Sequence, residues 1–416
     1  MELKKYNLHD VCEIIPGYAF KSNDFGQGDY IAIKITDIHP PTIELRNATN
    51  VCVKPKDART QIHKGDFVMA MTGATIGKVG LMESEVDNVF INQRVCKFIP
   101  KEGFDKSYLY YVLLQPKFRK FIFANIDSSS AQPNIGHPTI YRFEHCFPNV
   151  ETQRNIASVL SSLDSKISLN RAINRNLEAL AKQFYDYWFV QFDFPDENGK
   201  PYKSSGGKMV WNEVLKREVP EGWEVKSIGD VAEVYNGATP STEDEQNYGG
   251  DIVWITPKDL SNQQEKFVYQ GERNISQKGY DSCSTHLLPL NTILMSSRAP
   301  IGLLAIAKSK LCTNQGFKSF VPKNKSMSTY LYYYLQMHKK QVEQLGTGTT
   351  FKEVSRDDIM GFNIIVPENK ILEKWEEILL PINNKQLELQ KETLSLIRQR
   401  DELLPLLMNG QVEVGN

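Results

Sequence analysis

Two Asn-Gln pairs are the side chains in this sequence best suited to recognising a polar partner. Asn92-Gln93 is followed by Arg94, and Asn314-Gln315 occurs 222 positions after the first pair. Asn and Gln amides can form paired hydrogen bonds with adenine, and the Arg guanidinium can do so with guanine. The pattern therefore indicates contact with nucleic-acid bases. An amide pair that holds neighbouring backbone in place would leave the same pattern.

Two polar segments accompany each amide pair. A glycine-containing turn precedes it, at 72–77 and at 296–302, and a loop rich in Ser, Thr and Gly follows it, at 128–135 and at 346–352. Glycines let backbone N–H groups approach phosphates, and hydroxyl groups add donors. The candidate DNA contacts are polar and basic side chains of these segments and their flanks: Thr72, Thr75, Lys78, Gln93, Arg94, Ser129, Gln132, Arg298, Gln315, Lys318, Thr349 and Lys352.

The second half of the chain repeats the first. Tyr-Leu-Tyr-Tyr at 108–111 recurs at 330–333, with the same offset of 222 residues as the amide pair. Such tyrosine runs are more typical of a helix in a core than of a surface for stacked bases. A duplicated chain tends toward pseudo-two-fold symmetry, which suits duplex DNA. Side chains that differ between the repeats are the better specificity candidates, such as Lys352, or Arg298 where the first repeat has Gly73 or Ala74.

Positive charge is concentrated in two stretches, although the formal net charge of the chain is −1. Residues 273–352 contain eleven Lys or Arg and two acids, and residues 94–142 contain eight and three. Acids outnumber bases by eight to six at 368–402. Phosphate neutralisation requires a local excess of this kind. A solubilising surface would explain the same counts equally well.

The spacing of apolar residues changes at about residue 150. Before it, short β-type runs alternate with Gly, Pro, Asn and Asp. After it, apolar residues recur at alternating steps of four and three, which predicts a coiled-coil helix. A second, less regular helical pattern begins near residue 368. The residues predicted to pack these helices include two asparagines that can fix the helix register: Leu160, Leu163, Ile167, Asn170, Asn174, Leu177, Ile382, Leu389 and Leu394.

These patterns predict an α+β protein in five parts. Residues 1–150 and 220–367 form two α+β globular domains, and 151–190 and 368–410 form two long helices. Residues 191–219 contain helix-breaking and flexible Gly, Ser and Pro clusters and form a connector. A two-fold relation between the repeats requires the helices to run antiparallel, with the globular domains at opposite ends of a rod.

Motifs for catalysis and for cofactor binding are missing. The segment 73–78 resembles a phosphate loop but has three residues between its glycines where four are needed. The six cysteines form no C-x-x-C, the seven histidines lack metal-ligand spacing, and the Asn/Asp-Pro-Pro-aromatic motif of amino-group DNA methyltransferases is absent. We therefore expect a non-catalytic chain with no cofactor or metal of its own. Because neither a signal-type start nor a transmembrane run occurs, we expect it to be cytoplasmic.

The chain resembles the specificity subunit of type I restriction-modification systems. The resemblance covers nearly all 416 residues and depends on the order globular region, long helix, globular region, long helix. It also depends on short strings: Gly-Tyr-Ala-Phe-Lys-Ser at 17–22 with Asp-Phe at 24–25, Ser-Ser-Ala-Gln-Pro-Asn-Ile at 129–135, Gln-Arg-Asn-Ile at 153–156, Val-Pro-Glu-Gly-Trp-Glu at 219–224, Arg-Asp-Glu-Leu-Leu-Pro at 400–405 and Leu-Met-Asn-Gly at 407–410.

The resemblance implies one target recognition domain for each half of a split DNA sequence, with the helices setting the gap and docking the partners. Those partners would be two modification subunits, which bind S-adenosylmethionine and methylate adenine, and two ATP-driven restriction subunits. S-adenosylmethionine, ATP and Mg would be bound by the partners. Because Phe-Lys-Glu-Val at 351–354 replaces Gln-Pro-Asn-Ile at 132–135, the two half-sites are expected to differ.

Two alternatives stay open at the level of sequence. A coiled-coil scaffold without a nucleic-acid role would show no steep salt dependence of DNA binding, whereas several phosphate contacts require one. A self-contained restriction or methylation enzyme would turn over DNA without any partner.

Overall fold

The computed structural model describes residues 2–126, 133–263, 265–348 and 352–414. The chain forms two compact units, each of which holds part of both long helices. Unit 1 comprises residues 1–169 and 393–416, and unit 2 comprises residues 170–392. Ser129, Gln132 and Thr349, three of the candidate contacts, lie outside the described residues.

Unit 1 contains short strands and helices followed by the start of the first long helix. Its strands are β1 (Lys4–Asn7), β2 (Cys12–Pro16), β3 (Phe25–Ile33), β4 (Ile38–His39), β5 (Thr42–Ile43), β6 (Thr49–Val51), β7 (Gln61–Ile62), β8 (Phe67–Ala70), β9 (Val79–Leu81), β10 (Val89–Ile91), β11 (Val95–Pro100) and β12 (Glu144–Phe147). Its helices are α1 (Leu8–Val11), α2 (Lys106–Leu114), α3 (Pro116–Ala124), α4 (His137–Ile140) and the first part of α5 (Val150–Tyr185).

Unit 2 repeats this order of elements. Its strands are β13 (Met209–Asn212), β14 (Arg217–Pro220), β15 (Glu224–Ser227), β16 (Ala232–Asn236), β17 (Tyr248–Ile252), β18 (Trp254–Ile255), β19 (Phe267–Val268), β20 (Ile293–Ser296), β21 (Leu304–Ala307), β22 (Cys312–Thr313), β23 (Phe317–Pro322) and β24 (Asn363–Val366). Its helices are α6 (Ile228–Val231), α7 (Pro257–Gln263), α8 (Gln277–Asp281), α9 (Ser328–Met337), α10 (Lys339–Gln344), α11 (Arg356–Met360) and the first part of α12 (Asn369–Met408).

The main sheets of the two units have matching topology. The six-stranded sheet of unit 1 has the order β2-β11-β8-β9-β5-β4, and the five-stranded sheet of unit 2 has the order β16-β23-β20-β21-β19. In both, the long central strand pairs antiparallel with the strand that follows the first short helix, as in Phe98 opposite Ile14 and Phe320 opposite Val234. The sequence repeat is therefore a repeat of strand order and register.

The tyrosine runs lie in helices that cover these sheets. In α2, the Asp105 side chain caps the helix by accepting a hydrogen bond from Tyr108 N at 2.9 Å, and Tyr108 to Leu113 are all buried. In α9, Tyr330 and Tyr333 are at most 1% exposed. Burial of the rings in the core excludes them as a surface for stacked bases, which agrees with the structural interpretation of the pattern.

A partly buried ion pair joins the two long helices within unit 1. Asp164 of α5 accepts a hydrogen bond from Tyr111 Oη at 2.7 Å and pairs with Arg400 of α12 at 2.9 Å. The carboxylate is thus held by one neutral and one charged donor while its side chain is 19% exposed. Hydrogen bonds to ionised groups are stronger than neutral ones, so this cluster fixes the helix ends on the core of unit 1.

Substitution of Tyr111 by phenylalanine tests the strength of this cluster. We expect Tyr111→Phe to lower the free energy of unfolding by about 1.5–3 kcal/mol, because a partly buried hydrogen bond to a carboxylate is lost and the ring is kept. Urea titration followed by circular dichroism measures the change. Tyr30→Phe is the matched control, since the half-buried Tyr30 ring packs against Phe90 and its hydroxyl has no hydrogen-bond partner among the described residues. Equal stability of the two variants would contradict the prediction.

The long helices run antiparallel within unit 2. Asn170 Nδ2 donates to Glu392 at 2.8 Å, and Gln386 Nε2 donates to Glu178 at 3.0 Å, so the contacts descend along α12 as they ascend along α5. Asn174 Nδ2 donates to Glu265 at 2.8 Å. The polar exceptions in the heptad pattern are thus bonded. Of the predicted packing residues, Leu160, Ile167, Asn170 and Leu389 are buried, and Leu163, Asn174, Leu177, Ile382 and Leu394 are half-buried.

The segment 191–219 is anchored on unit 2, in contrast to the flexible connector expected from its composition. Phe192, Phe194 and Val219 are at most 5% exposed and belong to the core of unit 2. Strands β13 and β14 form a hairpin over residues 209–220. The expectation of flexibility was based on glycine and serine content. That content does not indicate where the aromatic side chains between these residues pack, and their burial is what anchors the segment.

Candidate nucleic-acid interface

Three of the polar segments converge in unit 1. Met71 N donates to Arg94 O at 2.9 Å, which joins the end of β8 to the amide-pair turn. Ile135 N donates to Met71 O at 3.1 Å, and Gly73 N donates to Pro133 O at 2.9 Å. Backbone hydrogen bonds therefore place the glycine turn between the amide-pair turn and the polar loop.

The same convergence occurs in unit 2. Ser297 N donates to Gly316 O at 2.8 Å, and Val354 N donates to Ser297 O at 3.0 Å. Thr72 forms an antiparallel bridge with Asn134 in unit 1, and Arg298 forms one with Glu353 in unit 2. Arg298 thus corresponds to Thr72, which corrects the alignment with Gly73 or Ala74 made from sequence. The offset shifts because the loop between β20 and β21 (residues 297–303) is one residue shorter than the loop between β8 and β9 (residues 71–78).

A fourth segment, missed in the sequence, borders each site. Asn92 N donates to Ile33 O at 3.0 Å, and Asn314 N donates to Ile255 O at 3.0 Å, so the residues after β3 and after β18 adjoin the amide turns. The turn at 34–37 is closed by Lys34 N donating to the Asp37 carboxylate, and the turn at 256–259 has the same bond from Thr256 N to Asp259. An Asp three residues after the first residue that follows the strand was the available signal, because this spacing is typical of a capping box.

The asparagine of each amide pair is structural. Asn92 Oδ1 accepts a hydrogen bond from Gln93 N at 2.6 Å, and Asn314 Oδ1 accepts one from Gly316 N at 3.0 Å. The glutamines are exposed, and Gln315 Oε1 accepts a hydrogen bond from the Thr239 hydroxyl. The asparagine therefore holds neighbouring backbone in place, which is the structural interpretation of the amide pair. The glutamine lies at the surface.

A glycine lies in close contact with the backbone carbonyl of the asparagine in each pair. A Cβ at Gly17 would lie 2.1 Å from Asn92 O, and a Cβ at Gly237 would lie 2.1 Å from Asn314 O. We expect Gly237→Ala to lower the free energy of unfolding by about 3 kcal/mol, the upper end for overpacking, because the clash is with backbone that cannot rotate away. Thermal unfolding measures the loss.

Gly361→Ala is the control for this prediction. A Cβ there would meet nothing closer than 3.5 Å, and Gly361 has a helical backbone conformation. We expect little change in its melting temperature. A Gly237→Ala variant as stable as Gly361→Ala would show that the turn adapts and that the close approach is not required.

The candidate contacts divide into surface and interior side chains. Lys78, Gln93, Arg94, Arg298, Gln315 and Lys352 are exposed. Thr72 and Thr75 are half-buried, and each hydroxyl oxygen is buried without a hydrogen-bond partner among the described residues. Their hydroxyls therefore point inward and do not serve as surface donors, which corrects the expectation from sequence.

Burial of Lys318 excludes it as a direct DNA contact. Its side chain is 6% exposed, and its Nζ lies 3.2 Å from Glu353 Oε1. The other oxygen of Glu353 lies 3.0 Å from Arg298 Nε. Partial burial of Glu353 raises its pKa, but the hydrogen bonds from Arg298 and Lys318 outweigh that effect and leave the pKa lowered. The carboxylate is therefore ionised at neutral pH and bonded to both cations.

Further basic side chains lie on the helices behind the glycine turns. A Cβ at Gly77 would lie 3.1 Å from the Ile122 side chain, so α3 packs against this turn. Helix α3 exposes Lys117, Arg119 and Lys120. In unit 2, a Cβ at Gly302 would lie 3.0 Å from the Lys339 side chain of α10. Each glycine turn is thus packed against a helix that carries exposed cations, which suits phosphate contact.

The described ranges contain neither a candidate metal site nor a candidate membrane span. No group of three or more His, Cys, Asp or Glu side chains there is placed to hold a metal ion. Among the same residues, no helix is long and apolar enough to cross a membrane.

Known proteins share this sequence pattern. Residues 1–179 and 220–399 each match the family described as "Type I restriction modification DNA specificity domain". The chain belongs to this family. Each matched segment contains one globular region and most of the long helix that follows it, so the repeat detected in the sequence is the family's domain present twice.

Individual relatives agree with this assignment. Over 415 residues, the chain is 25% identical to the HindI specificity subunit of Haemophilus influenzae, covering 88% of this chain and 90% of the relative. It is 42% identical over 178 residues to the MjaIX specificity subunit of Methanocaldococcus jannaschii, a match that spans 41% of either protein.

A solved structure shares the fold. The S subunit of the type I restriction-modification system from M. genitalium superposes with a TM-score of 0.62 at 16% identity, covering 98% of this chain and 96% of that one. The α+β fold with two repeated domains and long helices, predicted from the sequence, is confirmed.

Proposed function

We propose that this chain is the DNA sequence-recognition subunit of a type I restriction-modification complex. In this assignment each unit recognises one half of a bipartite site. One observation carries the proposal: in both units the same backbone hydrogen bonds gather a glycine turn, an amide turn and a polar loop, while the side chains on that shared scaffold differ. Two readers of different half-sites require a shared scaffold with different contacts.

The proposal includes partners that perform the chemistry. Two modification subunits would carry S-adenosylmethionine and methylate adenine, and restriction subunits would carry ATP and Mg. This chain would contribute recognition without an active site of its own. The absence of methyltransferase and phosphate-loop motifs from the sequence supports this division of labour.

Adenine methylation in the host genome provides the test. We expect deletion of the gene to abolish methylation at one bipartite sequence, and reintroduction of the wild-type gene to restore it. An unchanged methylation map, together with no sequence preference of the assembled complex in binding assays, would contradict the proposal.

Salt dependence separates the proposal from a scaffold without DNA binding. For the assembled complex, the logarithm of the DNA affinity should fall steeply with the logarithm of salt concentration, with a slope of about −0.9 per phosphate neutralised. A flat dependence would favour the scaffold. Turnover of labelled S-adenosylmethionine or of DNA by the isolated chain would favour a self-contained enzyme.

A further inference from the structure

One pair of equivalent positions differs in charge between the two sites. The bridge Thr72–Asn134 in unit 1 and the bridge Arg298–Glu353 in unit 2 occupy the same place between the glycine turn and the polar loop. In unit 1 both side chains are neutral, and Asn134 is exposed. In unit 2 they form an ion pair. The backbone pairing is therefore the same in both units, but the side-chain hydrogen-bonding groups at these positions differ.

The ion pair in unit 2 is anchored from the interior. Glu353 Oε1 lies 3.2 Å from the buried Lys318 ammonium, and Oε2 lies 3.0 Å from Arg298 Nε. The Arg298 side chain is 49% exposed. Among the described residues, its two terminal nitrogens have no hydrogen-bond partner, so the end of the guanidinium fork is available.

An arginine held through Nε has a restricted orientation. Its two terminal N–H groups can then approach one acceptor pair end-on, as the O6 and N7 atoms of guanine offer. A group ordered before binding loses less conformational entropy on contact. Glu353, with both oxygens occupied by cations, is not free to accept from a base. Lys318, being buried, cannot reach one.

We propose that Arg298 contacts a guanine, that Glu353 and Lys318 are positioning residues for it, and that Asn134, which occupies the position of Glu353 in the equivalent bridge of unit 1, contacts an adenine. This inference rests on the proposed function. An exposed amide offers the donor and acceptor that match the N6 and N7 atoms of adenine. The half-sites would then differ at this position because the same bridge carries different side chains.

Selection from a duplex DNA library with a randomised central segment tests the inference. The full-length chain, assembled with its modification subunits, is used as wild type and as Arg298→Lys, Glu353→Gln and Asn134→Asp. For Arg298→Lys we expect the preference for guanine at one base pair to fall about 10- to 100-fold, the range for loss of a bidentate contact. The other positions should keep their preferences.

The glutamate variant distinguishes positioning from folding. Glu353→Gln keeps the size of the side chain and removes the charge that holds Arg298, so the guanine preference should fall at the same base pair, by about 3- to 10-fold. Asn134→Asp should abolish an adenine preference in the opposite half-site. Thermal unfolding verifies that each variant is folded, and the partly exposed Glu353 is chosen because replacement of buried Lys318 is more disruptive.

Lys323→Met is the matched control. Lys323 follows the far end of β23 from Lys318 and donates to the Gly229 and Asp230 carbonyls, so this variant removes one charge in the same unit but away from the site. It should leave every base preference unchanged.

A uniform loss of affinity across all sequences in Arg298→Lys or Glu353→Gln would assign the pair to phosphate and overturn the inference. So would an unaltered guanine preference in Glu353→Gln. A wild-type complex that enriches no sequence would overturn the proposed function, and the inference with it.

Discussion

Replacement of Lys266 by methionine is expected to lower the free energy of unfolding by about 3–5 kcal/mol, the range for removing one partner of a buried ion pair. The ammonium lies in unit 2 with its side chain 5% exposed. It donates to Tyr333 Oη at 2.7 Å and to Asn383 Oδ1 at 2.8 Å. Gln386 Oε1 and Glu178 Oε2 each lie 3.3 Å away. One cation therefore links α5, α9 and α12, and methionine would leave four polar groups without this donor.

Lys385→Met is the control for this prediction. Lys385 lies on the same helix, α12, and pairs with Glu388 at 2.9 Å, but the two side chains are 49% and 65% exposed. Exposed pairs of this kind contribute only about 0.3–0.5 kcal/mol. Chemical denaturation measures both variants. If Lys266→Met costs no more than Lys385→Met, the buried contacts do not stabilise unit 2 as argued.

The same lysine makes stability depend on pH. Burial lowers the pKa of the Lys266 ammonium from 10.5 to about 8. Between these values the unfolded chain binds more protons at this residue than the folded chain, so its contribution to stability rises with pH and is lost as pH falls through about 8. Buried tyrosines such as Tyr330, with a pKa raised well above 10.0, act in the opposite direction above about pH 10.

Comparison with Lys266→Met isolates this effect. The difference in unfolding free energy between wild type and variant should increase from about pH 8 toward pH 10, by at most about 1.4 kcal/mol per pH unit. The other titrating groups are common to both proteins and cancel. A difference that is constant over this range would show that Lys266 has the same pKa folded and unfolded.

Trp375→Ala is expected to have an effect of similar size, about 3–5 kcal/mol. Trp375 is 0% exposed and lies in the first turns of α12. Its ring centroid is 5.0 Å from that of Phe189 and 6.0 Å from those of Tyr185, Trp188 and Tyr333. Alanine would leave a cavity among four rings that are held by the end of α5, by the helical turn at 186–190 that follows it and by α9, and these cannot all move to fill it.

Trp211→Ala provides the comparison for Trp375→Ala. Trp211 lies in the β13–β14 hairpin and is 56% exposed. Surface substitutions usually change stability by no more than about 0.5 kcal/mol. Thermal unfolding should therefore give a clearly lower melting temperature for Trp375→Ala and a nearly unchanged one for Trp211→Ala. Similar values would mean that the aromatic cluster relaxes around the missing ring.

Several features of the site were accessible from sequence. The glycine turns, the amide pairs and the polar loops recur at nearly constant offsets, and the structure brings them together in both units. The assignment of single side chains was less accurate. Thr72 and Lys318 occur in polar, basic stretches, yet the Thr72 hydroxyl and the Lys318 ammonium point into the protein. Lys318 lies in β23, where alternation along the strand decides which side chains face inward, and its phase is not evident in such a short strand. Thr72 lies in the turn after β8, where packing against distant segments decides the orientation.

The sequence by itself determined the duplication, the two long helices and the family, because each depends on local spacing or on short strings of residues. Only the tertiary structure decided which side chains meet across distant segments. The contact of Glu353 with Arg298 and Lys318 spans 55 and 35 residues, and that of Lys266 with Asn383 spans 117. Such contacts depend on how strands pair and helices pack, so the groups that orient Arg298 and those that hold Lys266 became apparent only in the folded chain.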